Sequence, residues 1–154
     1  MNGRRGLLHH QNIIVSNVAR SAPFYAAMLG YLGYELSGSH RGEGHEYDDW
    51  RRNDLDAPHE FGIGGVSPEY VDVPYRHGAV GHHTHVAFNA ADRADVDRFY
   101  ADVLVPLEQQ GLCRVEDPPG DCPEYGEPYY ATFFYDPDGL KYEFVFTAAR
   151  HRRK

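Results

Sequence analysis

The sequence predicts an α+β fold in which two tandem β-α-β-β-β modules form a curved mixed sheet, a cup with the helices outside. Three observations lead to this prediction. Each half of the chain contains one helix-like run and several strand-like runs in the same order. A chain of 154 residues with 42% hydrophobic content is long enough for one domain with a core. A set of residues also recurs in register in both halves. They are His10 and His85, Phe24-Tyr25 and Phe99-Tyr100, Ala26 and Ala101, and Leu29 and Leu104.

The repeat divides the predicted domain, residues 1–154, into two modules and a linker. The first module covers residues 7–66, the linker 67–80 and the second module 81–148. The linker is polar and contains proline and glycine, as connections do. Because such a linker lets equivalent modules exchange between two chains, a homodimer is a hypothesis.

Each module opens with a strand and continues with a helix. The opening strands are LLHHQNIIVS at 7–16 and HHTHVAFNA at 82–90, which are apolar and rich in β-branched residues. We expect Ser21 to be the N-cap of the first helix and Asp92 the N-cap of the second. Pro106 interrupts the second helical run, so that helix should kink or restart there.

Three more strands are expected in each module, separated by Gly, Pro, Asn and Asp. They are YELSGSH, EYDDWRR and HEFGIGG in the first module, and LCRVE, YYATFFY and LKYEFVF in the second. The module ends align with Glu60-Phe61 against Glu143-Phe144, which matches Tyr47 with Tyr130 and Trp50 with Phe133. The extra residues of the second module then fall in the acidic segment 114–128, interpreted either as a lid over the cavity or as a solvated connection.

Charge and cysteine content limit the function classes. The formal net charge of −8 and the pI near 5.6 argue against nucleic acid or an anionic membrane as a partner. The basic cluster at 150–154 is expected to be a solvated end, and no apolar run approaches the roughly 20 residues of a membrane-spanning helix. Cys113 and Cys122 form no CxxC pair and are expected to be free thiols. We therefore expect a cytoplasmic protein.

The repeat also predicts a metal site. If the modules pair about a pseudo-twofold axis, His10 approaches His85 and Glu60 approaches Glu143. Two imidazoles, two carboxylates and a divalent ion sum to zero charge, which removes the cost of burying the carboxylates. The mixed set suits Zn, Ni, Fe, Mn or Co and leaves a position for water or substrate. For Glu60 a solvent-facing residue is an equally good interpretation, because the following GIGG leaves the facing of its strand open.

Other residues are candidates for contact with a small-molecule ligand. Asn12 shares the face of His10 and His83 shares the face of His85, because side chains alternate along a strand. His9 and His82 are out of phase and are expected at the surface or in an interface. Aromatic candidates lie on strands that should border the cavity. They are Tyr47, Trp50, Tyr129, Tyr130 and Phe133.

Several motifs resemble the vicinal oxygen chelate superfamily, which includes glyoxalase I, bleomycin and fosfomycin resistance proteins and extradiol dioxygenases. They are the opening HHQNIIVSN followed by FYAAMLGYLG, the strand HTHVAF and the ending DPDGLKYEF. The resemblance covers nearly the whole chain and implies a single glyoxalase/bleomycin-resistance-like domain. In that superfamily the first strand of each module carries a His and the last a Glu. These positions correspond here to His10, Glu60, His85 and Glu143.

The resemblance implies a metal-dependent glyoxalase-like enzyme, of lyase, isomerase or dioxygenase type, acting on a small molecule with vicinal oxygens. Its metal would chelate both oxygens as a Lewis acid, and Glu143 or Glu60 would act as the base. TFFYDPDG does not reproduce the tyrosine spacing of extradiol dioxygenases, and no glutathione-binding set is recognisable. The alternative is a metal-free protein that sequesters a drug in an aromatic groove. Retention of all four potential ligands favours the enzyme.

Overall fold

The chain folds into two units that each carry a four-stranded mixed sheet, which confirms the predicted α+β class and the two β-α-β-β-β modules. The computed structural model describes residues 7–42, 44–55, 58–82 and 85–147. The units are Met1–Pro74 and Tyr75–Lys154, so the division falls within the segment expected to be the linker. Among the described residues, no helix is long and apolar enough to cross a membrane. Cys113 and Cys122 are free thiols, as predicted.

The first unit contains one helix and four strands. They are β1 (His10–Val15), α1 (Val18–Tyr31), β2 (Glu35–His40), β3 (Tyr47–Arg52) and β4 (His59–Gly65). The strand order is β1-β4-β3-β2, in which β1 and β4 are parallel and the other pairs antiparallel. Alternate side chains of the sheet, such as Ile13, Trp50 and Phe61, are buried on the side of α1, where Tyr25 packs against both Trp50 and Phe61. The opposite face of the sheet therefore carries the polar residues His10, Asn12 and Glu60.

The first helix begins earlier than the sequence analysis expected. Its N-cap is Asn17, whose Oδ1 accepts a hydrogen bond from the backbone N–H of Arg20 at 2.8 Å. Ser21, the expected cap, lies inside the helix and is fully buried, and its Oγ is a buried atom without a hydrogen-bond partner. The prediction was wrong because both residues are good capping types and the apolar Val18 already belongs to the buried stripe of the helix.

The second unit repeats the topology. Its elements are β5 (Val86–Asn89), α2 (Arg93–Phe99), a π-helical turn (Tyr100–Leu104), α3 (Val105–Gln109), β6 (Arg114–Asp121), β7 (Tyr129–Tyr135) and β8 (Lys141–Thr147). The strand order is β5-β8-β7-β6. Asp92 caps α2 as predicted, because its Oδ1 accepts from the backbone N–H of Asp95 at 2.7 Å. The helix restarts at α3 after the π turn, next to Pro106, which has no N–H to donate.

The segment 114–128 is more regular than expected. Its first half is strand β6, which pairs with β7 through irregular register between Val115 and Gly120. A 3₁₀ turn, Pro123–Tyr125, follows, and the backbone N–H of Cys122 bonds to the carbonyl of Tyr129 at 2.9 Å. The extra residues of the second module are therefore partly absorbed by a longer edge strand.

The structure also corrects the alignment of the two modules by one residue. Gly64 lies four residues after Glu60 and pairs with Tyr47. Thr147 lies four residues after Glu143 and pairs with Tyr129, not with Tyr130. A shift of one residue moves a side chain to the other face of a sheet. In the structure Tyr47 and Phe133 lie on the faces of the glutamates, whereas Trp50 and Tyr130 lie on the opposite faces of their sheets.

Candidate functional site

Glu143 is a buried carboxylate at the centre of the second sheet. It lies on β8, directly opposite Phe133 of β7 and Ala87 of β5, and only 2% of it is exposed. The hydroxyl of Tyr129 donates a hydrogen bond of 2.5 Å to its Oε1. Nε2 of His85 lies 3.4 Å from its Oε2. Each carboxylate oxygen therefore has a different neighbour.

The surroundings of Glu143 are apolar. Ala131, Phe133 and Val145 form a buried cluster on its face of the sheet, with Cys122 and Tyr129 packed against it. Burial, together with the hydrogen bond to the Glu143 carboxylate, raises the pKa of Tyr129 far above its ordinary value. The Tyr129 hydroxyl therefore stays protonated and donates a hydrogen bond to the carboxylate.

Glu60 has a different environment in the first unit. It lies on β4 directly opposite His10 of β1 and Arg51 of β3, and the guanidinium of Arg51 is ion-paired with its Oε1. The exposed His10 lies beside His9, with their Nδ1 atoms 3.1 Å apart. The charge of Glu60 is thus already balanced by a cation, which the charge argument from sequence did not include.

The two histidines occupy different registers against the glutamates. His10 is the direct strand partner of Glu60, whereas Ala87 is the partner of Glu143 and His85 precedes Ala87 by one strand period. Residues one period apart keep the same face, so His85 still reaches Glu143. The sequence repeat predicted that each histidine shares a face with the glutamate of its module. It did not show that His85 lies two residues away from the position directly opposite Glu143.

A polar notch lies above Gly62 on the Glu60 face of the first sheet. A Cβ atom on Gly62 would lie 2.4 Å from Oδ1 of Asp49 and 2.6 Å from Oδ1 of Asn12, so only glycine lets these two oxygens converge. Burial, and then the charges of Glu60 and Asp48, raise the pKa of Asp49. Asn12, a predicted ligand contact, therefore has an acidic neighbour that the sequence analysis did not select.

The aromatic candidates divide between the two faces. Tyr47 and Phe133 lie on the faces of Glu60 and Glu143, respectively. Trp50 is a core residue instead, because it is 3% exposed and packs against Tyr25 of α1.

Tyr130 also lies away from Glu143. Its hydroxyl donates to Oδ1 of Asp97 at 2.8 Å, and the Arg93 guanidinium lies over its ring. His82 stacks against Tyr75. His83, predicted beside His85, lies outside the described residues.

An open groove of about 600 Å³ lies in the second unit beside Tyr129. One side is formed by Arg93 and Asp121, whose side chains are ion-paired at 2.5 Å. The other side is the segment that leads into β7, including Pro123 and Pro128. The residue that contacts Glu143 thus also borders a space large enough for a small molecule.

The donor chemistry of the second unit fits a divalent metal. Among the described residues, the ion pairs give Glu143 no lysine or arginine partner, so a buried carboxylate and an imidazole nitrogen lie together without a fixed cation. One nitrogen and one oxygen donor suit Zn, Ni, Co, Fe or Mn. No described group of three or more His, Cys, Asp and Glu side chains is close enough to hold a metal ion. Within the second unit the described donors are therefore one imidazole and one carboxylate.

Three neighbours of the glutamates were missed from sequence. Tyr129 was a candidate pocket residue but not a partner of Glu143, and neither Arg51 nor Asp49 was selected. In the strand sequence YDDWRR, Asp49 and Arg51 lie two and four residues after Tyr47, so all three side chains share one face of β3. The sequence would indicate both residues if the face of Tyr47 were known.

Comparison with solved structures agrees with this architecture. A proposed glyoxalase from Bacillus halodurans is 24% identical, with 93% of this chain and 97% of that chain covered and a TM-score of 0.71. A glyoxylase/bleomycin resistance protein/dioxygenase domain from Frankia is 15% identical, with 92% and 97% covered and a TM-score of 0.67. A glyoxalase I mutant from Zea mays is 19% identical over 90% of this chain but only 46% of the maize chain, with a TM-score of 0.62.

At these identities the solved structures establish the fold alone. No curated protein sequence matches the chain. The sequence profile of one family, described as the Glyoxalase/Bleomycin resistance protein/Dioxygenase superfamily, matches residues 7–144. That match spans most of the chain, including β1 and the DPDG turn before β8. The protein therefore belongs to the Glyoxalase/Bleomycin resistance protein/Dioxygenase superfamily.

Proposed function

We propose that this protein is a metal-dependent enzyme that acts on a small molecule with two adjacent oxygen atoms. The observation that carries the proposal is the buried Glu143 carboxylate, which is 2% exposed. It has the imidazole of His85 3.4 Å from Oε2, a hydroxyl on Oε1 and no lysine or arginine partner among the described residues. Burying an ionised carboxylate costs several kcal/mol of free energy, and a positive charge beside it offsets that cost. A bound divalent metal is that compensation.

His85 and Glu143 are the proposed ligands from the second module. His10 and Glu60 are the corresponding donors of the first module, as the sequence repeat and the family resemblance suggest. A metal bound by this set would act as a Lewis acid on the substrate oxygens. Since mixed nitrogen and oxygen ligation suits several ions, the proposal covers Zn, Ni, Fe, Mn and Co.

We assign the proton-transfer role to Glu143 rather than to Glu60. Each glutamate has one oxygen bonded. The partner of Glu60 is the cationic guanidinium of Arg51, which makes the carboxylate a weaker base, whereas the partner of Glu143 is the neutral hydroxyl of Tyr129, and its Oε2 lies beside His85. A carboxylate within hydrogen-bond reach of a substrate C–H or O–H is a suitable base. Phe133 and Tyr47 lie on the glutamate faces and are proposed to contact the body of the substrate, and Asn12 one of its polar groups.

Metal analysis of protein purified without added metal tests this proposal. The wild type should retain a stoichiometric divalent ion, and His85→Ala and Glu143→Ala should each lose it. His77→Ala, which removes an exposed histidine, is the control and should retain the metal. Wild type that binds no metal after incubation with each of the five ions, or His85→Ala that binds like the wild type, contradicts the proposal. Assays with 2-oxoaldehyde thiol adducts and with catechols then separate isomerase or lyase activity from dioxygenase activity.

Metal-free sequestration of a drug is the second candidate. The apolar cluster of Ala131, Phe133 and Val145 on the Glu143 face favours it, because such side chains stack on or enclose a flat apolar ligand. Tight binding of an aromatic natural product by metal-free protein, unchanged in Glu143→Ala, would support this candidate. The homodimer suggested by the linker is proposed for either function, and light scattering of the purified protein measures it.

A further inference from the structure

We propose that Tyr129 is the positioning residue of Glu143: it holds one carboxylate oxygen so that Glu143 presents the other, with its negative charge intact, beside His85. The inference rests on the proposed function and deepens it, because it specifies how one ligand is oriented. It starts from the 2.5 Å hydrogen bond between the Tyr129 hydroxyl and Oε1 of Glu143.

Tyr129 is itself held in place from several directions. It is the first residue of β7, and its carbonyl accepts the backbone N–H of Cys122 at 2.9 Å. Its ring packs against that of Tyr125 with centroids 5.1 Å apart and lies against the buried cluster that contains Phe133. A donor whose own position is fixed by packing restricts the rotamer of the group it bonds.

The oxygen that Tyr129 leaves available has a defined direction. Tyr129 bonds Oε1, and Oε2 is the oxygen 3.4 Å from Nε2 of His85. Glu143 is therefore arranged as a one-oxygen donor on the side of the imidazole. Without the hydroxyl, the carboxylate would gain rotational freedom and a second available oxygen.

The two glutamates differ in the charge of their supporting residue. Arg51 supports Glu60 with a cation, which cancels its negative charge, whereas Tyr129 supports Glu143 with a neutral hydroxyl, which leaves that charge in place. A metal ion gains more from the uncompensated carboxylate. The sequence repeat makes the two glutamates look equivalent, but their supporting residues make Glu143 the stronger ligand.

The test is Co²⁺ binding by the full-length protein, measured by calorimetry and by the visible spectrum of the bound ion. Tyr129→Phe, which keeps the ring, should bind Co²⁺ roughly tenfold or more weakly, since loss of such supporting contacts typically costs 10–100-fold in affinity. Its spectrum should also change, because the spectrum reports ligand number and geometry. Tyr125→Phe, which keeps the ring contact and removes an exposed hydroxyl, is the matched control and should behave as the wild type.

A double-mutant cycle shows whether Tyr129 acts through Glu143. Glu143→Ala should lose the metal on purification, so its weaker Co²⁺ binding is measured at Co²⁺ concentrations high enough to saturate the remaining donors. In this background Tyr129→Phe should weaken Co²⁺ binding no further. Tyr129→Phe that matches the wild type in affinity and spectrum overturns the inference alone, provided His85→Ala still lowers affinity. Further weakening in the Glu143→Ala background overturns it too, because Tyr129 would then act by another route. Wild type that binds none of the five ions overturns the proposed function and this inference together. If it binds another of the five but not Co²⁺, the same variants are compared by their affinity for that ion.

Discussion

Nε2 of His85 lies 3.4 Å from Oε2 of Glu143, a carboxylate that the fold almost completely buries. This pair joins the residue that precedes β5 to the central strand β8. In a chain built only for stability, a buried apolar residue at position 143 would serve as well or better, because replacing buried charges by well-packed groups is often neutral or stabilising. The carboxylate is therefore better explained by chemistry than by stability.

Glu143→Gln should separate these two roles. Glutamine keeps the shape and accepts the Tyr129 hydrogen bond but removes the buried charge, so the free energy of unfolding of metal-free protein should be unchanged or raised by about 1 kcal/mol. Metal binding should be lost. Urea unfolding with a chelator measures the first effect, with exposed Glu69→Gln as the control. A clear loss of stability in Glu143→Gln would mean that the charge itself holds the fold together.

Asp48 is expected to be a stabilising residue of the first sheet. It is 4% exposed, and its carboxylate accepts from Arg41 at 2.9 and 2.6 Å and from Oγ of Ser39 at 2.5 Å. Asp48→Asn should lower the free energy of unfolding by about 1.5–3 kcal/mol, because bonds to a charged group are lost in a buried place. Asp54→Asn, at the exposed ion pair with Arg52, should have little effect. Equal effects of both substitutions in denaturant unfolding would contradict this assignment.

Gly62→Ala tests the polar notch of the first sheet. The added methyl would meet Oδ1 of both Asp49 and Asn12, so those side chains must turn away, and we expect a loss of about 1–3 kcal/mol in stability. Gly30→Ala is the control, because a Cβ there meets nothing within 4 Å. In helix α1 that change should stabilise by about 0.5–1 kcal/mol. Thermal unfolding measures both changes. A Gly62→Ala variant as stable as the wild type would show that the notch accommodates a methyl group.

The ion pair between Glu116 and Lys141 should make the free energy of unfolding depend on pH. Hydrogen bonds from Lys141 and from the Tyr135 hydroxyl hold the pKa of Glu116 below its ordinary value of 4.5. A carboxyl with a lowered folded pKa stabilises the fold above the unfolded pKa, and this contribution is lost as pH falls through the folded value. Glu116→Gln should therefore reduce stability at neutral pH by less than about 1 kcal/mol, since the pair is partly exposed.

The difference between the wild type and Glu116→Gln should shrink as pH falls below 4.5. Urea unfolding at a series of pH values checks this, with exposed Glu35→Gln as the control for loss of one negative charge. A difference that grows toward acid pH would reverse the sign and exclude the ion pair as its cause.

Much of the fold was predictable because its patterns are local. The strand-like runs YYATFFY and HEFGIGG became β7 and β4 with the predicted bounds, and Asp92 caps its helix as expected. Ser21 failed as a cap because two capping residues precede the same apolar run and packing chose between them. Strand β6 extends into a Pro-rich segment because its partner β7 offers hydrogen bonds there, which no local pattern shows.

The candidate site was predictable only in part. The repeat indicated His85 and Glu143, and the structure brings them together. Trp50 was a candidate because it is aromatic, but the structure buries it against α1, on the other face of its sheet. Trp50 was selected as an aromatic residue on a bordering strand without regard to its face. It is three residues from Tyr47, and an odd number of residues along a strand reverses the direction of the side chain.

The sequence by itself determined that this protein is a duplicated β-α-β-β-β chain and that each module carries a histidine and a glutamate on one face of its sheet. Only the tertiary structure decided that Tyr129 supports Glu143 while Arg51 neutralises Glu60. The physical reason is that side-chain alternation is a property of a single strand, whereas the neighbour across a sheet depends on strand register, which is set by pairing and packing over the whole unit.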